Sequence, residues 1–244
     1  MRPAWRGELR KIASVRGQWT GAVLAMAALP LTSLLVAATG GLGPRDTLTS
    51  GAASGTVVAL LAFGTWGAAV AAGEYAKQTM VVSLATVPRR GVLYTAKLAA
   101  LAVVSGAGAV LSALTALLVV MAVSVPGAHP LGNPALLVGY VLAVVAVTLG
   151  GAAAGILIRS PSAAIAIVVV VVLLPKAAGG LLGGLQPWVV GASPGTVVTQ
   201  LVEGGQLLPG QSYPAGAWAA LATMLLATLA LSCVGGAVFG RRDG

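Results

Sequence analysis

The 244-residue chain is 58% hydrophobic and only 8% charged, with a mean hydropathy of +0.98. A soluble domain carries about 25% charged residues, so this composition excludes a water-covered fold and predicts an all-α, polytopic membrane protein. The formal net charge of +9 does not indicate nucleic-acid binding, because the basic residues flank apolar segments, where they set topology and contact anionic lipid.

The first predicted element is an amphipathic helix at about residues 3–16. Its apolar residues Trp5, Leu9 and Ile12 recur at helical spacing and share one face, with Glu8 as an acidic exception at the edge of that face. We expect this helix to lie in the membrane surface; the alternative is a plain basic flank of a signal anchor. The basic residues expected on its opposite face are Arg6, Arg10 and Lys11.

Six apolar segments follow, each near the length of about 20 residues that a membrane-spanning helix needs. They lie at about residues 19–39, 51–72, 98–124, 135–158, 162–185 and 215–239. We expect the fifth segment to be interrupted at Pro175 and Lys176. The two longest connections, 73–97 and 186–214, are too short to fold as independent domains, so residues 1–244 form a single transmembrane domain.

Lysines and arginines are distributed unevenly among the connections. Six spans place both termini on the same side, and that side holds all but two of the 14 basic residues. The exceptions are Arg45 and Lys176. The positive-inside rule therefore predicts that both termini are cytoplasmic, in a multi-pass protein of the cytoplasmic membrane.

Sequence patterns for enzyme chemistry are missing. A phosphate-binding loop needs Gly-Lys followed by Ser or Thr, and none of the four lysines follows a glycine. The chain has no HExxH, GxSxG or paired carboxylate, so we expect neither a metal site nor catalysis. Only Glu74 and Lys176 come near the interior of a span. Ion-coupled transporters usually keep an ionisable residue there, so the energy for any transport should come from another protein.

The cytoplasmic connection 73–97 contains a second predicted element. Met80, Leu84 and Val87 recur at helical spacing, and Pro88 should end this short helix. An amphipathic helix held between two spans is suited to a groove on a partner protein. An interfacial helix that touches only lipid is the alternative.

This connection resembles the loop between the second and third spans of ABC-2 type transporter permeases. The resemblance extends to the whole chain, with an amphipathic elbow helix, six spans, cytoplasmic termini and a long outer segment before the last span. Gln78 departs from the pattern, since many members carry glycine there. The loop residues that carry the resemblance are Glu74, Thr79, Leu84, Val87, Pro88, Arg89, Arg90, Gly91 and Lys97.

The resemblance implies that the loop helix is a coupling helix seated in a separate ABC ATPase subunit. That subunit would hold ATP and Mg, whereas this chain binds no cofactor itself. A second permease chain would complete a homodimer or heterodimer. The residues implied to face or brace the ATPase are Glu74, Lys77, Thr79, Leu84, Pro88, Arg89 and Arg90. The segment 177–185, with Pro175, Lys176 and Trp188, resembles the short re-entrant helices of the outer mouth.

The expected function is that of the permease subunit of an ATP-driven exporter. A pathway lined mostly by small apolar and hydroxyl residues suits an amphipathic or hydrophobic substrate, such as a drug or a peptide antibiotic. Two alternatives remain open. One is an ion-coupled secondary transporter or lipid flippase, and the other is a non-transporting scaffold or sensor subunit.

Overall fold

A computed structural model describes residues 2–76, 79, 89–125, 127, 129–134, 137–203 and 212–241. Every regular element among these residues is helical, which confirms the predicted all-α class. Two short 3-10 turns, Gly179–Leu181 and Gly183–Leu185, lie between the seventh and eighth helices. The helices are α1 Arg2–Ser14, α2 Arg16–Ala38, α3 Leu48–Ala53, α4 Thr56–Ala76, α5 Arg90–Val123, α6 Leu137–Ile158, α7 Pro161–Ala177, α8 Gln186–Gly191, α9 Pro194–Glu203 and α10 Ala217–Arg241.

Within the described residues, five segments are long and apolar enough to cross a membrane, as in a multi-pass membrane protein. They are α2, α3 with α4 as one segment, α5, α6 and α10. The structure does not confirm the expected six spans, because the fifth predicted span contains only the 17-residue helix α7. At 1.5 Å per residue, such a helix is about 26 Å long, slightly shorter than the hydrocarbon core of about 30 Å.

The interruption of this fifth segment, expected at Pro175 and Lys176, lies directly after these two residues. Helix α7 includes both residues and ends at Ala177. The chain then leaves α-helical geometry where two glycine pairs begin the 3-10 turns, at 179–180 and 183–184. Glycine costs about 1 kcal/mol relative to alanine in a helix interior, so the glycine pairs end the helix rather than the proline.

The connection between α4 and α5 is also shorter than expected. Helix α5 begins at Arg90, inside the range 73–97 that we expected to be loop. Lys97 therefore lies about two helical turns inside α5 and is buried. The charge of Lys97 therefore does not mark the end of the helix.

Helices α4 and α6 form the tightly packed centre of the bundle. An added Cβ at Gly151 or Gly155 of α6 would collide with the backbone of α4, at Gly64 and Ala68 respectively. Small residues allow such close backbone contact between helices in a membrane. Helices α2, α7 and α9 pack against α4, and α10 packs against α6.

The predicted outer segment 186–214 contains two helices that cover one end of the bundle. In α9, Val197 and Val198 are completely buried. Gln200 of the same helix donates a hydrogen bond to the carbonyl oxygen of Gly191 at 2.7 Å, and its side-chain oxygen accepts one from the amide of Tyr213 at 3.0 Å. These bonds fix α9 between α8 and the chain that leads into α10.

Candidate functional site

Helix α1 turns its apolar face into the bundle. Ala4 and Ile12 are buried, and Trp5 and Leu9 are half-buried against the core. The helix contacts α2 and α5. The face that we expected to lie in lipid is therefore covered at least in part by the protein itself.

The charged residues of α1 lie in two different environments. Arg6 and Arg10 are exposed, as expected for a basic face. Glu8, by contrast, is buried, with only 5% of the whole residue exposed. Residues four positions apart share a helix face, and Glu8 falls between the buried residues Ala4 and Ile12. Lys11 does not belong to the outward basic face, since its ammonium group pairs with Glu8.

Glu8, Lys11, Glu74 and Lys97 form a charge cluster that joins α1, α4 and α5. Its central group is the ammonium of Lys97, which donates to Glu8 Oε2 at 2.7 Å and to Glu74 Oε1 at 2.6 Å. These three side chains are nearly inaccessible, at 3% exposure for Lys97 and 7% for each glutamate. The cluster thereby joins the last turn of α4 to the first two turns of α5. We call these two helix ends the base of the α4–α5 connection.

Lys11 completes the cluster from its edge. Its ammonium group donates to Glu8 Oε1 at 2.6 Å and lies 3.5 Å from Glu74 Oε1. Each oxygen of Glu8 therefore binds a different lysine. Two carboxylates and two ammonium groups balance in formal charge, which is the condition under which buried charges are tolerated.

The ion pairing changes the pKa values of Glu8 and Lys11. Burial by itself would raise the pKa of Glu8, but the positive charges of Lys97 and Lys11 outweigh it and hold the pKa below its usual value. Burial would likewise lower the pKa of Lys11, yet its contacts with Glu8 and Glu74 raise it. Both groups are therefore charged at neutral pH.

Glu74 is the least favourably placed member of the cluster. It lies in the last turn of α4, where the helix dipole disfavours a negative charge. Both lysines approach Oε1, whereas Oε2 is buried and has no hydrogen-bond partner within the described residues. A buried carboxylate oxygen without a hydrogen-bond partner is energetically costly.

A second contact joins this end of α4 to the turn between α6 and α7. The guanidinium of Arg159 lies over the ring of Tyr75, 5.2 Å from its centroid. Arg159 has a φ of 60°, a left-handed conformation that non-glycine residues adopt uncommonly. Tyr75 follows Glu74 directly, so the end of α4 contacts α1, α5 and the α6–α7 turn.

The residues predicted to couple to an ATPase are described only in part. Glu74 belongs to the charge cluster, and exposed Thr79 donates its amide to the carbonyl oxygen of Glu74 at 3.0 Å. Arg89 is exposed directly before α5, and Arg90 is the first residue of that helix. The predicted loop helix and three of the site residues lie outside the described residues: Lys77, Leu84 and Pro88.

The residues predicted at the outer mouth lie at the other end of the bundle. Pro175 is inside α7, and Lys176 is exposed in its last turn. Trp188 in α8 is half exposed and packs edge-on against Tyr213, with ring centroids 5.4 Å apart.

An apolar cavity of about 340 Å³ lies among α6, α7 and α10 and reaches the α8–α9 turn. Its lining residues are mainly small and aliphatic, with no ionisable side chain among them. The polar lining groups are the hydroxyls of Ser193, Thr223 and Thr228. The volume falls within the range of about 300–1,000 Å³ typical of small-molecule sites.

Glu8 and Lys97 belong to the cluster but were not predicted from the sequence as site residues. Glu8 did leave a signal, because it is one of only five acidic residues and falls on an apolar helix face. Neither models of protein families nor curated proteins match this sequence. The resemblance to ABC-2 permeases therefore rests on the residues of the α4–α5 connection and on the expected architecture.

Proposed function

We propose that this chain is the membrane permease subunit of an ATP-driven exporter, working with a separate ABC ATPase subunit. In this proposal the chain has an ABC-2 type fold with six spans, pairs with a second permease chain and lies in the cytoplasmic membrane with both termini inside. The observation that carries the proposal is the charge cluster, which clamps both ends of the connection expected to contact the ATPase.

The clamp provides a physical route for coupling. Glu74 ends α4 and Lys97 lies near the start of α5, so a force on the intervening connection acts on both helices together. Separating the two groups would leave buried charges unpaired, which costs about 3–5 kcal/mol. Because α4 is packed at the centre of the bundle, its displacement would be transmitted to α2, α6 and α7.

The proposed substrate is amphipathic or hydrophobic. The cavity among α6, α7 and α10 offers aliphatic surface and a few hydroxyls rather than charges. Such a lining stabilises an apolar molecule by removing its surface from water. A sugar chain would leave most of its hydroxyls without partners there, and a small ion would lose its hydrating water without gaining a charged partner.

Purification of the tagged chain in mild detergent, with mass spectrometry and an ATPase assay, tests this proposal. The expected result is a stoichiometric ATP-binding subunit, whose hydrolysis rate changes in the presence of this chain and drives export in vesicles. A stable ATPase complex that moves no substrate would favour a scaffold or sensor. A homo-oligomer without any ATPase would contradict the proposal.

Ion-coupled transport is the second candidate, favoured by the buried Oε2 of Glu74, which has no hydrogen-bond partner in the part of the chain that the structure describes. Ionisable residues inside a membrane protein commonly mark ion or proton pathways. Vesicles containing this chain alone distinguish the two functions. Flux driven by an ion gradient without ATP, and lost in Glu74→Gln, would support the second candidate; ATP-dependent flux insensitive to a protonophore would support the first.

A further inference from the structure

Glu8 holds a position in the charge cluster that none of the other three residues duplicates. It comes from α1, separated from Lys97 by 89 positions in sequence, and it binds both lysines through different oxygens. Without Glu8, Lys97 would lose its 2.7 Å partner on α1 and Lys11 would lose its 2.6 Å partner, while the 3.5 Å approach of Lys11 to Glu74 would remain. The ionic link between α1 and the base of the α4–α5 connection would thereby lose its two shortest contacts within the described residues.

We propose that Glu8 is a positioning residue for this connection, holding Lys97 against Glu74 so that α1 and the base of the connection move as one unit during coupling. The inference rests on the proposed ATP-driven function, because it assigns Glu8 a part in transmitting the force of the ATPase. The docking of α1 is a separate physical property, which can be measured without the ATPase.

The chemistry of the cluster defines an informative substitution. Glutamine has nearly the shape of glutamate but offers one acceptor oxygen and one NH₂ donor. In Glu8→Gln, one of the two lysines therefore faces a donor instead of an acceptor. The substitution also leaves the cluster with one excess positive charge, so its effects combine lost positioning with charge imbalance.

A second variant separates these two effects. Glu8→Gln with Lys11→Gln removes one negative and one positive charge, so the buried Lys97–Glu74 pair stays balanced. The ionic tie between α1 and α5 is cut in both variants. If Glu8 only balances charge, the double variant regains function; if Glu8 positions the connection, it does not.

The docking of α1 is measured by spin-label distances between Ser14→Cys and Thr95→Cys, two exposed positions on α1 and α5. The exposed native Cys233 is first replaced by serine. We expect a narrow distance distribution in this background and a broadened one in both Glu8 variants. Arg16→Gln, which removes an exposed charge outside the cluster, is the matched control and should keep the narrow distribution.

Coupling is measured as substrate transported per ATP hydrolysed in vesicles that contain the whole complex. In the double variant this ratio should fall about tenfold, equivalent to a lost coupling energy of about 1.4 kcal/mol, while the ATPase still co-purifies. If Glu8→Gln does not accumulate in membranes, both measurements are made on the charge-balanced double variant alone.

Two outcomes contradict the inference without contradicting the proposed function. One is an unchanged transport ratio in the double variant despite a broadened α1 distance. The other is a distance distribution that stays narrow in that variant. Failure to find any ATPase would instead remove the proposed function and the coupling role, leaving only the docking of α1 by Glu8.

Discussion

Lys97 is almost completely buried, with carboxylate oxygens from two other helices at its ammonium group. In Lys97→Met, two glutamates would share the site with Lys11 as the remaining cation of the cluster. Breaking a buried ion pair on one side costs about 3–5 kcal/mol. We expect a loss of stability of that size, measured as thermal or denaturant unfolding in detergent.

The matched control for this prediction is Arg45→Met, which removes an exposed positive charge and should change stability by less than about 0.5 kcal/mol. Adding Glu8→Gln to Lys97→Met restores charge balance and should recover part of the loss. Equal stability of Lys97→Met and the native chain would show that the cluster does not contribute to folding.

The lowered pKa of Glu8 predicts a dependence of stability on acid. Above its usual value of 4.5, Glu8 is ionised in the folded and the unfolded chain, and its pairing contributes fully. As the pH falls through the lowered pKa, the paired carboxylate takes up a proton and this contribution is lost. Unfolding temperatures measured from pH 7 to below pH 4.5 should therefore fall more steeply for the native chain than for Glu8→Gln.

The raised pKa of Lys11 predicts a loss of stability in the opposite direction, as the pH rises. Its pairing contributes fully below its usual value of 10.5 and is lost as the pH rises through the raised pKa. In Lys11→Gln the alkaline side of the stability profile should be flatter than in the native chain. The acidic loss assigned to Glu8 should persist in this variant, because Lys97 still pairs with Glu8.

At the scale of elements, adjacent glycines on α6 provide a matched pair of substitutions. A Cβ at Gly151 would collide with the backbone of Gly64, whereas a Cβ at Gly150 has no neighbour closer than Thr228 at 4.0 Å. Gly151→Ala should therefore destabilise the bundle by about 1–3 kcal/mol through overpacking. Gly150→Ala should be neutral or stabilising, because alanine favours the helix. Similar unfolding of both variants would contradict the close α4–α6 contact.

The apolar helices show how far hydropathy alone predicts the fold. The segments expected at 19–39, 135–158 and 215–239 correspond to α2, α6 and α10 within a few residues. Hydropathy predicts such helices because an apolar segment in lipid must satisfy its backbone groups internally. The start of α5 is not predictable in this way, because the charges of Arg90 and Lys97 lower the hydropathy of its first two turns.

The candidate site was less predictable than the helices because it depends on contacts between distant segments. Glu74 could be identified from the connection, but its pairing with Lys97 requires α4 and α5 to lie side by side. Glu8 enters only when α1 docks against α5. Periodicity indicates which residues share a helix face; it does not indicate whether lipid or protein covers that face.

For the whole molecule, the number of membrane crossings depends on α7. At its start, the α6–α7 turn places Arg159 over Tyr75 at the end of α4. Near its other end, Val172 lines the same small pocket as Val57, which lies at the opposite end of α4. Helix α7 thus extends along most of α4, and we expect it to act as the sixth crossing although it has only 17 residues.

Cysteine labelling in cells tests this expectation, with Cys233→Ser as the background. Six crossings place Ser14→Cys and Arg241→Cys in the cytoplasm, where a membrane-impermeant maleimide reaches them only after permeabilisation. Leu181→Cys, at an exposed position after α7, should react in intact cells. Five crossings would separate the termini, so that Arg241→Cys reacts in intact cells and Leu181→Cys does not. That outcome would contradict six spans and, with them, the cytoplasmic placement of both termini in the proposed exporter.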